Sequence, residues 1–558
     1  MKLILILFLL CTLSFAAPTT FGDKDAKKGG TFTVSVPSYP KAILYYLGSD
    51  TLSLLLSQGV IEPLVEQDPV TFDSIPRLAE SWQISKDKKT FTFKLNPKAQ
   101  FSDGHPLTSK DVKFTWDTIL NPKNNTVPLQ SYFADFESCT TPDEKTIVFK
   151  SKNIHFQNME KLGGLFVLPE HFFSKKDFNH SGMTAFLGSG PYKFGEMDAG
   201  KKIVMERNEK YWGADLPQNR GRYNFDRVIY KIVPDTHVQL EMFKRGDVDF
   251  MLISMAKMWV EELDGELFEK NWATKFRLKS KTPSSMSGIQ WNMRKNLFAE
   301  KKVRLAMSHL MNRDQWIKDL FYNEYIPTVG VVPPDSEYHS PKAKMLKYDP
   351  VLAKKLLAEA GWKEAGTDGI LKKGEQRFEF ELLTTDSPLT RAFTRYQEDL
   401  QKMGIKMNLR TTDWATLLKL SDENNFDAMV LGWTRSVNPS DFAQMWGSKE
   451  ADMKGSQNKS GFKNTELDKL ARRIDETFDK KARVKLVQNL DGILAEEQPM
   501  SFFWEANSFR LIYWNRYSFP KEKSPPYSDW STPVEYWWFD APKAEALKTA
   551  MAEKKKIN

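Results

Sequence analysis

Cysteine is nearly missing from this chain: of 558 residues only Cys11 and Cys139 carry a thiol. Cys11 falls in an N-terminal apolar run that we read as a removed leader. The lone Cys139 that remains cannot form an internal disulfide, so a small disulfide-stapled secreted domain is excluded. Cys139 has no activating partner nearby in sequence and reads as structural. Long apolar runs are missing too: beyond the N-terminus no segment approaches the roughly 20 residues that a spanning helix needs. The seven histidines include no His-x-x-x-His or Glu-x-x-His pair, so zinc-hydrolase spacing is absent. No Gly-x-Ser-x-Gly elbow occurs. Ser85-Lys86-Asp87-Lys88 matches Ser-x-x-Lys only as a charged turn before a strand. Gly188-Ser189-Gly190-Pro191 runs into a proline and a strand, so it does not open a phosphate-binding helix. Charge of one sign is also wanting. The formal net charge is +8, but acidic and basic residues alternate, and the one dense basic run, Lys554-Lys555-Lys556, lies at a terminus. A nucleic-acid binder would gather its cations into stripes. No enzyme constellation, no metal and no cofactor is therefore expected.

What is present begins with a leader. Lys2, the apolar run Leu3 to Leu13 and Ser14-Phe15-Ala16-Ala17 have the layout of a signal peptide, cleaved after Ala16 or Ala17. Leu10 before Cys11 argues against lipid attachment there. Export to the periplasm is the expectation, with a mature chain long enough for more than one domain or lobe.

Two periodicities then alternate. Thr31 to Val36 and Thr90 to Leu95 read as strands, with Phe32, Val34 and Val36 on one face and Phe91, Phe93 and Leu95 on another. Thr108 caps a helix lined by Val112, Trp116, Ile119 and Leu120. Val228 to Val233, a helix from Asp235 or Thr236 to Phe243, and Val248 to Ile253 predict a parallel pair joined by a helical crossover. The second half repeats this as β-α-β-α-β. Asp349-Pro350 starts a helix that Gly361 ends; a strand follows around Phe378 to Leu382, then a helix stopped by Gly404. A strand at Ile405 to Leu409, a helix over 414–420 and a buried strand over 426–432 complete it. Two α/β halves imply a cleft between lobes, with ligands beyond the carboxyl ends of the strands. That rule selects Ser35 to Tyr46 and Trp433 to Asp441. Aromatics there suit a pocket that closes on an organic ligand, which singles out Tyr39, Tyr45, Tyr46 and Trp433.

A set of segments carries a resemblance. They are Gly59-Val-Ile-Glu-Pro-Leu-Val-Glu66, Ile75-Pro-Arg-Leu-Ala-Glu-Ser-Trp82 and Phe101-Ser-Asp-Gly-His-Pro-Leu-Thr-Ser-Lys-Asp-Val112. Gly188-Ser-Gly-Pro-Tyr-Lys193, Glu206-Arg-Asn-Glu-Lys-Tyr-Trp212, Gly246-Asp-Val-Asp249 and Ala353-Lys-Lys-Leu-Leu-Ala-Glu-Ala-Gly-Trp362 follow in order. Together they resemble the extracellular solute-binding proteins of family 5, the oligopeptide- and dipeptide-binding type. Trp291-Asn-Met-Arg294, Lys454-Gly-Ser-Gln-Asn458 and Phe509-Arg-Leu-Ile-Tyr-Trp-Asn515 make the chain look most similar to the branch containing the binding protein of the microcin C importer.

The resemblance implies an α/β, two-lobed periplasmic binding protein fold of type II, cluster C-like, with an inserted β-rich subdomain. It implies residues 1–17 as signal peptide, and lobe I from 18–60, 188–282 and 505–558. The inserted subdomain takes 61–187 and lobe II takes 283–504. It also implies a non-enzymatic monomer that captures a peptide-like solute and meets the permease subunits of an ABC transporter. In peptide-binding relatives an aspartate just after the Gly-Trp pair holds the ligand's amino terminus. Here that position falls at Arg435 or Ser436, within Gly432-Trp-Thr-Arg-Ser-Val-Asn-Pro439. Arg435 is expected to face the cleft and engage an anionic group with its planar donor fork, or else to lie on the lobe surface. Thr434, Ser436, Asn438 and Asp441 complete the expected loop. Asn292 and Arg294 line the cleft or fix the crossing between lobes, and Trp504 lies near the return crossing.

Overall fold

The computed structural model describes residues 19–48, 50–386 and 389–557. The leader and Cys11 lie outside the described residues. No helix among the described residues is long and apolar enough to cross a membrane.

Thr31–Val36 is the hub of a seven-stranded sheet. The strands run in the order Ala273–Leu278, Phe509–Trp514, Phe250–Leu252, Thr31–Val36, Arg227–Ile232, Lys202–Arg207 and Tyr192–Asp198. The alternation predicted for Thr31–Val36 is only half of its burial. Phe32 and Val34 are fully buried, and Thr33 and Ser35 are buried too. A strand covered on both faces must satisfy its polar side chains internally. Accordingly Ser35 Oγ donates to Gln239 Oε1 at 3.2 Å, while the Thr33 amide donates to Asp249 Oδ2 at 2.8 Å.

The predicted crossover exists, but its two strands are not neighbours. Arg227–Ile232 and Phe250–Leu252 each pair in parallel with Thr31–Val36, one on either side. The helix Thr236–Lys244, capped by Asp235, carries the chain over the N-terminal strand, which fills the gap.

A separate four-stranded antiparallel sheet runs Ala79–Ile84, Thr90–Leu95, Thr146–Ser151 and Phe136–Asp143. Here Thr90–Leu95 does alternate, burying Phe91, Phe93 and Leu95. Helix Ser109–Leu120 covers it, and the capping box between Thr108 and Asp111 starts that helix: the Thr108 amide donates to Asp111 Oδ2 at 2.9 Å. Cys139 is buried in this unit, and desolvation pushes its thiol up to about 12. The apolar core is continuous from here into the seven-stranded sheet.

The second large sheet has five strands, in the order Lys406–Thr412, Glu379–Thr385, Ala428–Trp433, Met286–Trp291 and Met500–Phe502. The first three are parallel, as β-α-β-α-β requires, and Met286–Trp291 runs antiparallel to both of its neighbours. Helix Pro350–Glu359 is capped by Asp349 and helix Trp414–Asp422 by Asp413. Helix Thr390–Lys402 ends before Gly404, whose φ of 75° suits glycine.

The chain passes between the two large sheets twice, over 279–285 and 503–508. The Pro- and Ser-rich loop after Phe519 braces the first passage: the Lys281 amide donates to Pro526 O at 2.7 Å and Ser280 Oγ to Ser528 O at 2.6 Å. The Gly188-Ser189-Gly190 run also has a packing explanation. A Cβ on Gly188 would meet Val60 O at 2.0 Å, and one on Gly190 would meet Gly59 O at 2.5 Å. Both glycines let this backbone lie directly on the end of helix Thr51–Val60.

Candidate functional site

The segment leaving Thr31–Val36 presents three tyrosines, and they do different work. Tyr46 is buried, and its hydroxyl donates to Phe166 O at 2.5 Å, so it is a core post and is not free to meet a ligand. Tyr45 is half-buried; its ring lies 6.0 Å from Tyr46 and 6.3 Å from Phe166. Its amide donates to Ser57 Oγ at 2.8 Å, which fixes the backbone while leaving part of the ring open. Tyr39 is half-buried, and desolvation with Asp198 nearby raises its phenol.

The loop leaving Ala428–Trp433 is held from the other lobe. Trp433 is half-buried, with its ring 6.5 Å from Trp446, while Thr434 and Ser436 are exposed. Ser436 Oγ accepts from the Asn438 amide at 3.2 Å and shapes the turn. Asn438 then reaches three ways. Its Oδ1 accepts from Tyr338 OH at 3.3 Å, its Nδ2 donates to Glu160 Oε2 at 3.4 Å, and its carbonyl accepts from Gln157 Nε2 at 3.0 Å. Ser440 Oγ lies 2.7 Å from Gln157 Oε1 and 2.9 Å from Asp441 Oδ2. Asp441 itself sits at φ 58° and precedes the short helix Phe442–Trp446.

Segment 155–160 therefore clasps the second large sheet's unit from the side of the four-stranded one. The Phe156 amide donates to Asp475 O at 2.8 Å, His155 Nε2 lies 3.4 Å from Asp475 Oδ1, and the Arg483 guanidinium sits 4.0 Å over the Phe156 ring. Burial pushes the Glu160 carboxyl up, against the opposing effect of the Asn438 amide. Beside this clasp lies a cavity of about 240 Å³ whose lining includes Gln67, Glu160, Tyr338, Asn438, Lys480 and Arg483. The exposed Tyr132 is the common neighbour of Glu160, Tyr45 and Asp441. Desolvation first, then these groups, raises its phenol. Residues that follow both central strands thus act electrostatically on the same phenol.

Four expected site residues have other duties. Arg435 does grip a carboxylate, but it is the protein's own. Its Nη2 pairs with Glu505, its Nε donates to Ser284 O at 2.8 Å, and the two charged side chains are 5% and 6% exposed. Both partners lie at the two passages between the sheets, so Arg435 pins the loop to the hinge instead of facing the cleft. Burial pulls its guanidinium down, and Glu505 opposes this only in part. Asn292 is fully buried and donates to the Asn424 and Phe426 carbonyls at 3.1 and 2.7 Å. Arg294 spends its donors on the carbonyls of Ala451, Asn458 and Lys459. Trp504 is buried against Phe321 and Trp316. Asn292 and Arg294 are thus taken by main-chain carbonyls, Arg435 by a carboxylate and a carbonyl, and Trp504 by core contacts.

Sequence reasoning missed the clasp residues, Gln157 and Glu160, which have no local signature. It also missed a charge network beside the seven-stranded sheet, near Tyr192, Met205 and Tyr230. Arg77 Nε lies 2.7 Å from Glu62, Arg77 Nη1 2.9 Å from Glu66, and Arg222 bridges Glu66 and Glu535 at 2.8 and 2.6 Å. Glu62, Glu66 and Arg77 fall within two of the quoted motifs, which is the signal that pointed to them.

Known proteins share this frame. The family described as bacterial extracellular solute-binding proteins, family 5 middle, matches residues 73–454, more than half of the chain. The oligopeptide-binding protein AppA of Bacillus subtilis is 27% identical over 96% of this chain and 98% of its own length. YejA of Escherichia coli is 28% identical, covering 85% of this chain and 83% of its own. The solved structure of AppA in complex with a nonapeptide matches with a TM-score of 0.69 at 24% identity, covering 92% of this chain and 99% of that one.

Proposed function

The chain belongs to the bacterial extracellular solute-binding proteins, family 5, and from that premise we propose that it captures a peptide or peptide-like compound between its two lobes and delivers it to an ABC importer's permease. The members of this family bind solutes and are not enzymes. The observation that carries the reading is that groups from both lobes act on one phenol: Tyr45 and Asp441, which follow the two central strands, and Glu160 of the clasp all bear on Tyr132. In this reading Tyr39, Tyr45 and Trp433 supply apolar faces. Thr434, Ser436, Asn438 and Asp441 supply polar contacts to an extended backbone. With Arg435 neutralised by Glu505, the cationic anchor for an acidic ligand is gone. Glu160 and Asp441 instead offer carboxylates to a ligand's ammonium, which restores an ordinary peptide amino terminus as a binding partner. The leader seen in the sequence supports a periplasmic location.

Native mass spectrometry of protein isolated from its own periplasm tests the proposal, followed by isothermal titration of the recovered compound. The expected result is a co-purified peptide-like mass, lost on denaturation, whose affinity falls at least about tenfold in Trp433→Ala. A protein that carries no such compound and binds no member of a peptide library overturns it.

A further inference from the structure

Two histidines that lie far apart in sequence meet on the surface of the four-stranded unit. The His105 and His171 rings stack with centroids 4.1 Å apart and planes 17° apart. Both address one carboxylate: Asp103 Oδ2 lies 3.1 Å from His105 Nδ1 and 2.9 Å from His171 Nε2. One ligand atom from each residue lies within 4.8 Å of the others.

We propose that Asp103, His105 and His171 form a site for one divalent transition-metal ion of the zinc, copper(II) or nickel class. The donor set argues for that class, since imidazole suits these ions and calcium or magnesium prefer oxygen alone. The spacing agrees: two ligands at ordinary zinc distances on a tetrahedral ion stand roughly 3.3 Å apart. The site is also built rather than fortuitous. A tight turn carries Asp103 and His105, with the Phe101 amide donating to His105 O and the Gly104 amide to Phe101 O, both at 2.9 Å. Gly104, at φ 91°, permits that turn. His171 comes from the short helix Glu170–Phe173, whose first amide donates to Asp111 Oδ1 at 3.0 Å. Buried Phe101 lies 5.4 Å from the His171 ring and backs the site with an apolar wall. The outer side is open, with His105 62% exposed, which leaves positions for water or a further ligand. None of the three residues lines the cavity at the clasp.

Chelator-stripped protein titrated calorimetrically with zinc chloride, and with copper(II) under electron paramagnetic resonance, tests this site. The expected result is one ion per chain with two nitrogen ligands on copper. His105→Ala weakens binding by at least about tenfold, because a ligand is lost outright. His180→Ala, which alters a separate exposed His–Asp pair, leaves binding unchanged. No stoichiometric binding of either ion, or binding that persists in the His105→Ala/His171→Ala double variant, overturns the proposal. Circular dichroism of each variant separates loss of the site from loss of the fold.

Discussion

Arg435→Ala is expected to damage the fold far more than the affinity. The substitution strands Glu505, 6% exposed, with the Ser284 hydroxyl at 2.7 Å as its one remaining side-chain partner. Removing one partner of a buried pair costs about 3–5 kcal/mol, most of it the desolvation of the charge left behind. The pair itself is a poor stabiliser, because burial outweighs Glu505 in setting the Arg435 guanidinium. Among the described residues, Arg435 Nη1 and Glu505 Oε1 also have no hydrogen-bond partner. Replacing both groups by apolar residues of similar volume, Arg435→Met with Glu505→Leu, should therefore return stability to within about 1 kcal/mol of the parent. Urea unfolding followed by tryptophan emission measures the cycle, with ligand titration on each folded variant. Affinity is expected to shift by less than about threefold, through the open–closed balance alone. An Arg435→Ala protein that keeps its stability but loses tenfold or more in affinity would refute the hinge assignment and return the arginine to the cleft.

Other expectations follow from single contacts. Gln157→Ala removes the bonds to Asn438 and Ser440, so ligand should leave several-fold faster, on the order of 1 kcal/mol, with little change in melting; stopped-flow fluorescence reads this. Asn292→Ala leaves two buried carbonyls short of a donor and should cost about 1–3 kcal/mol in urea unfolding, with affinity retained. Gly188→Ala forces the backbone off Val60 and should cost about 1–3 kcal/mol or more, seen as reduced yield and lower Tm. Desolvation raises the Asp491 carboxyl to about 6, although the Ser340 amide and His339 oppose it. A carboxyl raised on folding costs stability that accumulates from its ordinary value of 3.8 up to about 6 and is constant above that. Acidifying from pH 7 to pH 5 should therefore stabilise the parent relative to Asp491→Asn, by about 1 kcal/mol.

Local chemistry was legible, and long-range placement was not. Thr108, Asp235 and Asp349 all cap the helices predicted to start there, because a cap depends on residues two or three positions away. Strand adjacency has no such local record. Nothing between Val228 and Ile253 reveals that Thr31–Val36 enters between its two strands. The strand-end rule selected two loops, yet it could not tell Tyr45 from Tyr46, since the Tyr46 hydroxyl bonds to Phe166 O and is taken up in the core. The pairing of Arg435 was hidden for the same reason. Its partner stands 70 residues away, and a buried pair looks in sequence like a free cation. His105 and His171, 66 residues apart, escaped a search for short metal spacing because the turn and the helix bring them together only in three dimensions.

The placement of Phe509–Trp514 between Ala273–Leu278 and Phe250–Leu252 has a temporal side. The ribosome releases the five-stranded unit whole, since all its strands are made between residues 286 and 502. The first sheet must wait: until residue 514 is available it is two open edges facing an empty slot. Closing that slot joins segments more than 230 residues apart, the kind of non-local step that slows folding. A chain built this way stays incomplete for almost the whole of its synthesis, and an incomplete chain is the form a secretion channel can thread.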